Sequence, residues 1–382
     1  MQEHQVLLIP GPTPVPPAIL REHARTMINH RGPEFAAMQA EIDDGLKKTF
    51  KTKNHVYTLT CSGTGAMEAA VVNVLSPGEK VLALVIGAFG DRFAKIAQAY
   101  GADVERMEFE WGAAVDVDQL AARLKKDTGR EIKAVLVQQN ETSTGVTNDM
   151  AGIGRVVHEH GALLIVDAVS GLVAIDLETD KWHLDVVAAA SQKAFMLPPG
   201  LGFVSLSERA WKAYETSTMP KFYFDLGQCR EFAEKGQTPF TPALPQYYGL
   251  HLSLKLLERE GLDNVFKRHA RLGRAVRSAA QAMGLDLLVK DERVASNAVT
   301  AILSPKGVNP SDLRKNLLKK YDVVLAGGQG KLKDDIFRIG HLGYVTETDI
   351  LSALTCLGMG LHDFGVKADI SAAIAAAQTA LA

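Results

Sequence analysis

The chain has 382 residues, room for two or three domains of ordinary size, and its 42 basic against 44 acidic residues leave a formal charge of −2. That balance gives no electrostatic reason to expect nucleic acid or an anionic membrane surface as partner. A content of 47% hydrophobic and 23% charged residues is that of a globular protein, not a disordered one. The three cysteines, Cys61, Cys229 and Cys356, lie far apart with no CxxC spacing, so neither a disulfide framework nor a metal site is expected. Residues 1–11 carry no basic stretch followed by an apolar one, as a secretory leader would. No apolar run reaches the roughly 18 residues of a membrane span. A soluble, cytoplasmic protein is the expectation.

In chain order, residues 7–17 hold five prolines, which remove backbone donors and fix φ, so this segment reads as an extended arm. From about 55 to 205, short β-rich runs alternate with longer helical stretches. Strands are expected at 81–86, 134–138, 163–167, 186–189 and 202–205, with helices at 65–75, 91–100, 117–126 and 153–160. Strands that are apolar throughout and separated by helices predict an α/β fold, with a mostly parallel sheet covered on both faces. Beyond about 245, apolar residues recur every three or four positions over 247–260 and 262–283, predicting two long helices. Strands at 298–303, 323–326 and 336–339 with helices at 310–321 and 347–361 then predict a smaller α+β unit. The alanine-rich residues 370–382 read as an exposed or frayed terminal helix. The expected division is an arm (1–20), a large domain (21–258) and a small C-terminal domain (259–382).

Three groups of residues carry chemistry. Cys61-Ser62-Gly63-Thr64-Gly65 precedes a run of strong helix formers, which offers free N–H groups and the positive dipole end to an anion. Taken alone it reads equally as an ordinary cap with flexible glycines. Asp167 ends an apolar strand, where open α/β sheets place ligands, and a carboxylate so nearly buried needs a cation or a protonated ring nitrogen. The bland reading is a helix cap. Lys193 follows another apolar strand, where desolvation would make it a usable nucleophile and base, though a lone lysine is usually a surface one. Anion cradle, strand-end aspartate and strand-end lysine, in that order, fit the phosphate, ring nitrogen and aldehyde of pyridoxal 5′-phosphate.

At these residues the chain resembles the class V aminotransferases of fold type I, in particular the alanine–glyoxylate, serine–glyoxylate and serine–pyruvate branch. The resemblance runs from Leu7-Leu8-Ile9-Pro10-Gly11-Pro12 to about residue 361. Its most specific blocks are Ser191-Gln192-Lys193-Ala194, Pro198-Pro199-Gly200 and Phe337-Arg338-Ile339-Gly340-His341-Leu342-Gly343. Asn140-Glu141-Thr142-Ser143-Thr144-Gly145-Val146 and Gly87-Ala88-Phe89-Gly90 match further blocks. The resemblance implies a large cofactor-binding domain with a mostly parallel mixed sheet and a smaller α+β domain. It further implies that Lys193 holds the cofactor as a Schiff base and moves the substrate proton. Asp167 would face the pyridine nitrogen, while Gly63, Thr64 and Gln192 bind the phosphate. Phe89 would stack on the ring, Val169 would pack against its other face and Thr142 would approach the 3′ oxygen. Arg338 would clamp the substrate carboxylate with the help of the Gly11 N–H.

Gly236-Gln237-Thr238-Pro239-Phe240-Thr241-Pro242 resembles the family's Thr-Pro loop, in which a threonine reaches the phosphate of the neighbouring subunit. Thr241 and Thr238 take that role by resemblance, which implies a homodimer with shared sites. The segment departs from the family here, for no tyrosine stands between Tyr223 and Tyr247. His30-Arg31-Gly32-Pro33-Glu34 and Gly327-Gly328-Gln329-Gly330 also match, with structural roles, and His341 reads as a packing histidine or a neighbour of the carboxylate site.

The activity implied is amino transfer from alanine or serine to glyoxylate or pyruvate. A single arginine in a matching block suggests monocarboxylic substrates. A cysteine desulfurase or another lyase on the same fold is the first alternative. It would call for a histidine stacked on the ring and another before the lysine, where this chain has Phe89 and Gln192. A non-catalytic interaction subunit is the second, since some members have been described as hydrogenase-associated. A scaffold, however, has no need of Lys193, Asp167 and Arg338 together.

Overall fold

The computed structural model describes residues 5–382. Thirteen strands occur among them: β1 (Val6–Leu8), β2 (Val56–Cys61), β3 (Lys80–Val85), β4 (Asp103–Glu108), β5 (Ile132–Gln138), β6 (Asn140–Glu141), β7 (Val146–Thr147), β8 (Leu163–Asp167), β9 (Val186–Ala190), β10 (Gly200–Leu206), β11 (Val299–Leu303), β12 (Val323–Gly327) and β13 (Ile336–Gly340). Seven of them form one sheet in the order β2-β10-β9-β8-β5-β3-β4, in which only β10 runs against its neighbours. The mixed α/β sheet expected from the apolar runs is thus present, and its alternation explains those runs. Val81, Ala83 and Val85 of β3 enter one core while Leu82 and Leu84 enter the other, so neither face can be polar.

Because the remaining strands all point the same way, β2, β3, β5, β8 and β9 end at one edge of the sheet. The segments that follow them there start at Ser62, Ile86, Gln139, Ala168 and Ser191. This is the edge at which open α/β sheets bind ligands. Ala188, Ala189 and Ala190 make β9 thin, and helix Gly63–Val72 packs against that strand.

A second sheet of four strands, β1-β12-β13-β11, carries its own core under helices Leu262–Ala282, Pro310–Tyr321 and Glu347–Asp363. The arm is only partly as expected. Val6, Leu7 and Leu8 pair in parallel with Val323, Val324 and Leu325, so the arm begins as an edge strand of this sheet. Pairing stops before the first proline, which has no N–H to give a ladder. From there the arm crosses to the seven-stranded sheet, where the Thr13 N–H donates to the Gln192 carbonyl at 3.2 Å.

Helix Pro33–Phe50 and strands β2 and β4 are among the elements not anticipated. β4 is an edge strand with no buried residue, so its Asp-Val-Glu-Arg-Met-Glu sequence carries no apolar run. The terminal segment is a correction. Ile370–Leu381 is neither frayed nor free but is capped by Asp369 and packed on Leu262–Ala282, burying Ala373, Ala377 and Leu381. Alanines four apart let the two helices approach closely.

Candidate active site

Lys193 follows β9 in a loop pinned on several sides. Ser191 Oγ donates to the Pro198 carbonyl at 2.8 Å, Ser253 Oγ donates to that of Phe195 at 2.5 Å, and Thr13 Oγ1 donates to that of Lys193 at 3.1 Å. The lysine ammonium donates to the Pro10 carbonyl. Gly11 passes so close that a Cβ there would lie 2.5 Å from Lys193 Nζ, and its φ of +116° is one that L-residues avoid. The arm is therefore a wall of this site. Burial brings the Lys193 ammonium down to about 8; Asp167 opposes the fall, while Arg338 and Arg92 add to it.

Asp167 closes β8, one strand away, and is 5% exposed. One of its oxygens accepts the Val169 N–H at 2.9 Å. Burial raises its carboxyl to about 7; Glu141 adds to the rise, while the Val169 N–H, Lys193 and Arg92 oppose it. Val169 also backs the cradle, because a Cβ on Gly63 would stand 3.0 Å from both Val169 methyls and 3.2 Å from Ala190 Cβ. Helix Gly63–Val72 begins at Ser62 without a side-chain cap, which leaves its first N–H groups to an incoming anion. Gln192 Oε1 is buried with no partner.

Arg338, on β13, reaches across from the other sheet. It is 4% exposed, donating from Nη1 to the Thr142 carbonyl at 2.7 Å and from Nε to the Gly327 carbonyl at 2.8 Å. Burial lowers its guanidinium to about 10, with Glu141 opposing and Arg314 adding to the fall. Thr142 is buried here too, its hydroxyl donating to Ser170 Oγ at 2.7 Å. Phe89 lies half-buried at the start of helix Ala88–Ala99. The structure adds Arg92, whose guanidinium stands 4.7 Å from the Phe89 ring centre and whose charge reaches both Lys193 and Asp167. One helical turn from Phe89, it could have been found by that spacing.

Two groups of residues lie elsewhere. Thr238 and Thr241 line a small cavity with Thr58, Thr60, Tyr223 and Tyr247, and Thr238 Oγ1 donates to the Phe240 carbonyl at 2.7 Å. Arg31 holds their loop through the carbonyls of Thr238 (2.6 Å) and Pro239 (3.2 Å). His341 is a packing residue, buried between the Asn297 carbonyl and Thr300 Oγ1, with burial pushing it down to about 3.

A sequence profile described as "Aminotransferase class-V" matches residues 17–335. The chain belongs to the class V aminotransferases. This aminotransferase is 46% identical over 366 residues to a protein named soluble hydrogenase 42 kDa subunit of Anabaena cylindrica, covering 96% of the chain and 95% of that relative. It is 39% identical to the serine–glyoxylate aminotransferase of Hyphomicrobium methylovorum, with 97% and 93% covered. The crystal structure of pyridoxamine–pyruvate aminotransferase from Mesorhizobium loti superposes with a TM-score of 0.94 at 29% identity, covering 100% of this chain and 98% of that one.

Pyridoxal phosphate is the cofactor of this family, and the residues present suit it. The uncapped helix start at Gly63, with its free N–H groups, suits its phosphate. Asp167, buried with one oxygen tied only to a backbone N–H, suits a protonated ring nitrogen. Lys193, with its ammonium near 8, suits an aldehyde. Among the described residues no cluster of three or more His, Cys, Asp or Glu could hold a metal ion, and no helix is long and apolar enough to cross a membrane.

Proposed function

We propose that this aminotransferase moves the amino group of alanine or serine to glyoxylate or pyruvate in two alternating half-reactions. The observation that carries the reading is Lys193, buried in one cluster with Asp167 and Arg338 and walled by Gly11. A scaffold subunit has no use for a desolvated lysine and aspartate kept side by side. Pyridoxal phosphate, when bound, supplies an electron sink for the bond pair left at the substrate Cα. Lys193 would hold it, take the proton from the substrate Cα and return it to the carbon that carried the cofactor's aldehyde. Asp167 holds the proton at the ring nitrogen. Gly63, Thr64 and Gln192 anchor the phosphate, and Phe89, Val169 and Thr142 orient the ring. Arg338 presents its fork to the substrate carboxylate beside the Gly11 N–H, and the arm screens the site from water. Arg92, the arginine the structure adds, is engaged on the Phe89 ring face, which leaves the small monocarboxylic donors as the best fit.

An absorbance spectrum of the purified holoenzyme tests this reading. With no oxo acid present, L-alanine or L-serine is expected to convert the visible band, and L-aspartate to act more slowly. A band unchanged by alanine and serine alike would sink the proposal.

The Thr-Pro loop supports a homodimer with shared sites. Beside it Phe222 (73% exposed) and Tyr223 present aromatic surface together with Phe240, whose ring stacks 5.2 Å from that of Tyr223. A second copy covering this patch would carry Thr238 and Thr241 toward the neighbouring phosphate. Thr241→Ala is then expected to weaken cofactor retention about tenfold, the loss of one charge-assisted hydrogen bond. Unchanged retention in equilibrium dialysis, or a monomer by light scattering, would rule this out.

A further inference from the structure

The segment following β5 joins the two halves of the site through a single carboxylate. Glu141 has no exposed surface, and its oxygens act only as acceptors. One takes the Ser143 N–H at 3.0 Å, the Ser143 hydroxyl at 2.5 Å and the Phe89 N–H at 3.3 Å. The other takes the Phe89 N–H at 3.1 Å and the Gly90 N–H at 3.0 Å. Ser143 Oγ itself accepts the Ala88 N–H at 2.9 Å, which leaves its own proton for Glu141. Helix Ala88–Ala99 receives no cap from its own Gly87, so Glu141 and Ser143 cap it from across the sheet. Gly87 has to be glycine, since a Cβ would fall 2.4 Å from Glu141 Cγ and Cδ. One residue on, the Thr142 carbonyl receives Arg338. On the other side Asn140 Nδ2 donates at 2.9 Å to Ser170 Oγ, three residues past Asp167.

We propose that Glu141 is a positioning residue. As a carboxylate, it locks the turn bearing Phe89 to the segment that holds Arg338, and it supplies the negative charge that faces both Arg338 and Asp167. Three backbone N–H groups and a hydroxyl that already accepts the Ala88 N–H favour the ionised form, against burial, which pushes this carboxyl up. The charged groups around it divide as the proposal needs. Glu141 raises the proton affinity of Asp167 and of Arg338, Lys193 and Arg92 lower that of Asp167, and Arg314 lowers that of Arg338. The inference rests on the roles given above to Phe89, Asp167 and Arg338.

The test compares three variants of the holoenzyme. Glu141→Gln keeps the shape, removes the charge and turns one acceptor into a donor facing N–H groups. The pH midpoint of its visible cofactor band is expected to fall by about one unit, because losing a negative charge disfavours protonation. Its kcat is expected to fall roughly 10- to 100-fold from misplacement, with no rise in KM, since Arg338 loses a competing carboxylate. Glu141→Asp keeps the charge but withdraws it, and is expected to hold the wild-type midpoint while losing about tenfold in kcat. Ser143→Ala removes one hydrogen bond and no charge, so its midpoint should stay within a few tenths of a unit. An unchanged midpoint in Glu141→Gln overturns the proposal, as does an unchanged kcat in Glu141→Asp, which also decides the matter should Glu141→Gln fail to fold. A KM that rises in step with a falling melting temperature marks a merely structural role and overturns it too. Arg338→Lys read alongside separates the underlying assignment: an unchanged KM there removes the carboxylate clamp, whatever the band does in Glu141→Gln.

Discussion

Lys193→Ala is expected to abolish amino transfer, by at least ~10³-fold, because it removes the covalent anchor and the proton carrier together. The side chain has no understudy: the charged groups that act on it are a carboxylate and two guanidiniums, Asp167, Arg338 and Arg92, none of which serves as an amine nucleophile. Its surroundings also set a pH dependence. Burial brings its ammonium down to about 8, so roughly a tenth of the chains present a free amine at pH 7, against about one in 2,500 for an ordinary lysine. Capture of pyridoxal phosphate by cofactor-free protein should therefore rise with pH through about 8 and level off above it. Stopped-flow absorbance checks this directly. A rate still climbing at about pH 10 would show that Lys193 is not desolvated, and turnover surviving in Lys193→Ala would remove the mechanism.

Asp167→Asn is expected to move stability and activity in opposite directions. In the cofactor-free chain the Asp167 carboxyl is raised to about 7, against ~3.9 when unfolded. Below about pH 4 both states hold the proton and the burial is not penalised. As the pH climbs through 7 the folded state must carry a desolvated carboxylate, and that share of its stability is lost. The asparagine variant avoids this. Without cofactor at pH 8 it should be more stable than the wild type by a few kcal/mol, since the rise to about 7 already includes the opposing attraction of Lys193. With cofactor it should lose roughly 10²- to 10⁴-fold in turnover, since an amide cannot keep the ring nitrogen protonated. Urea midpoints of both cofactor-free forms decide the first half. A less stable variant at pH 8 would mean that the buried aspartate is already paired within the chain.

Strained chemistry of this kind is what made the site legible. Asp167 and Lys193 stand at the ends of wholly apolar strands, where an ionisable residue is out of place unless something uses it. Glu141 left no such mark. It sits among Asn140, Thr142, Ser143 and Thr144, a polar segment that reads locally as a loop, and its donors come from Phe89 and Gly90 some fifty residues earlier. Arg92 was missed for a related reason: on an amphipathic helix a cation reads as solvated surface.

By itself the sequence determined the elements whose apolar pattern is local. These are the strands buried on both faces, the long helices after 245, and the strand-end positions of Asp167 and Lys193, because period and burial are written in neighbouring residues. Edge elements escaped, since β4 buries nothing and the three residues of β1 are defined only by their partner β12. Only the tertiary structure decided that the proline arm belongs to the small sheet at one end and walls Lys193 at the other. It alone carried Arg338 from β13 to the Thr142 carbonyl, and turned the alanine-rich terminus into a packed helix. Each of these depends on a contact between residues far apart in the chain. Such contacts are fixed by the fit of whole surfaces rather than by any local period.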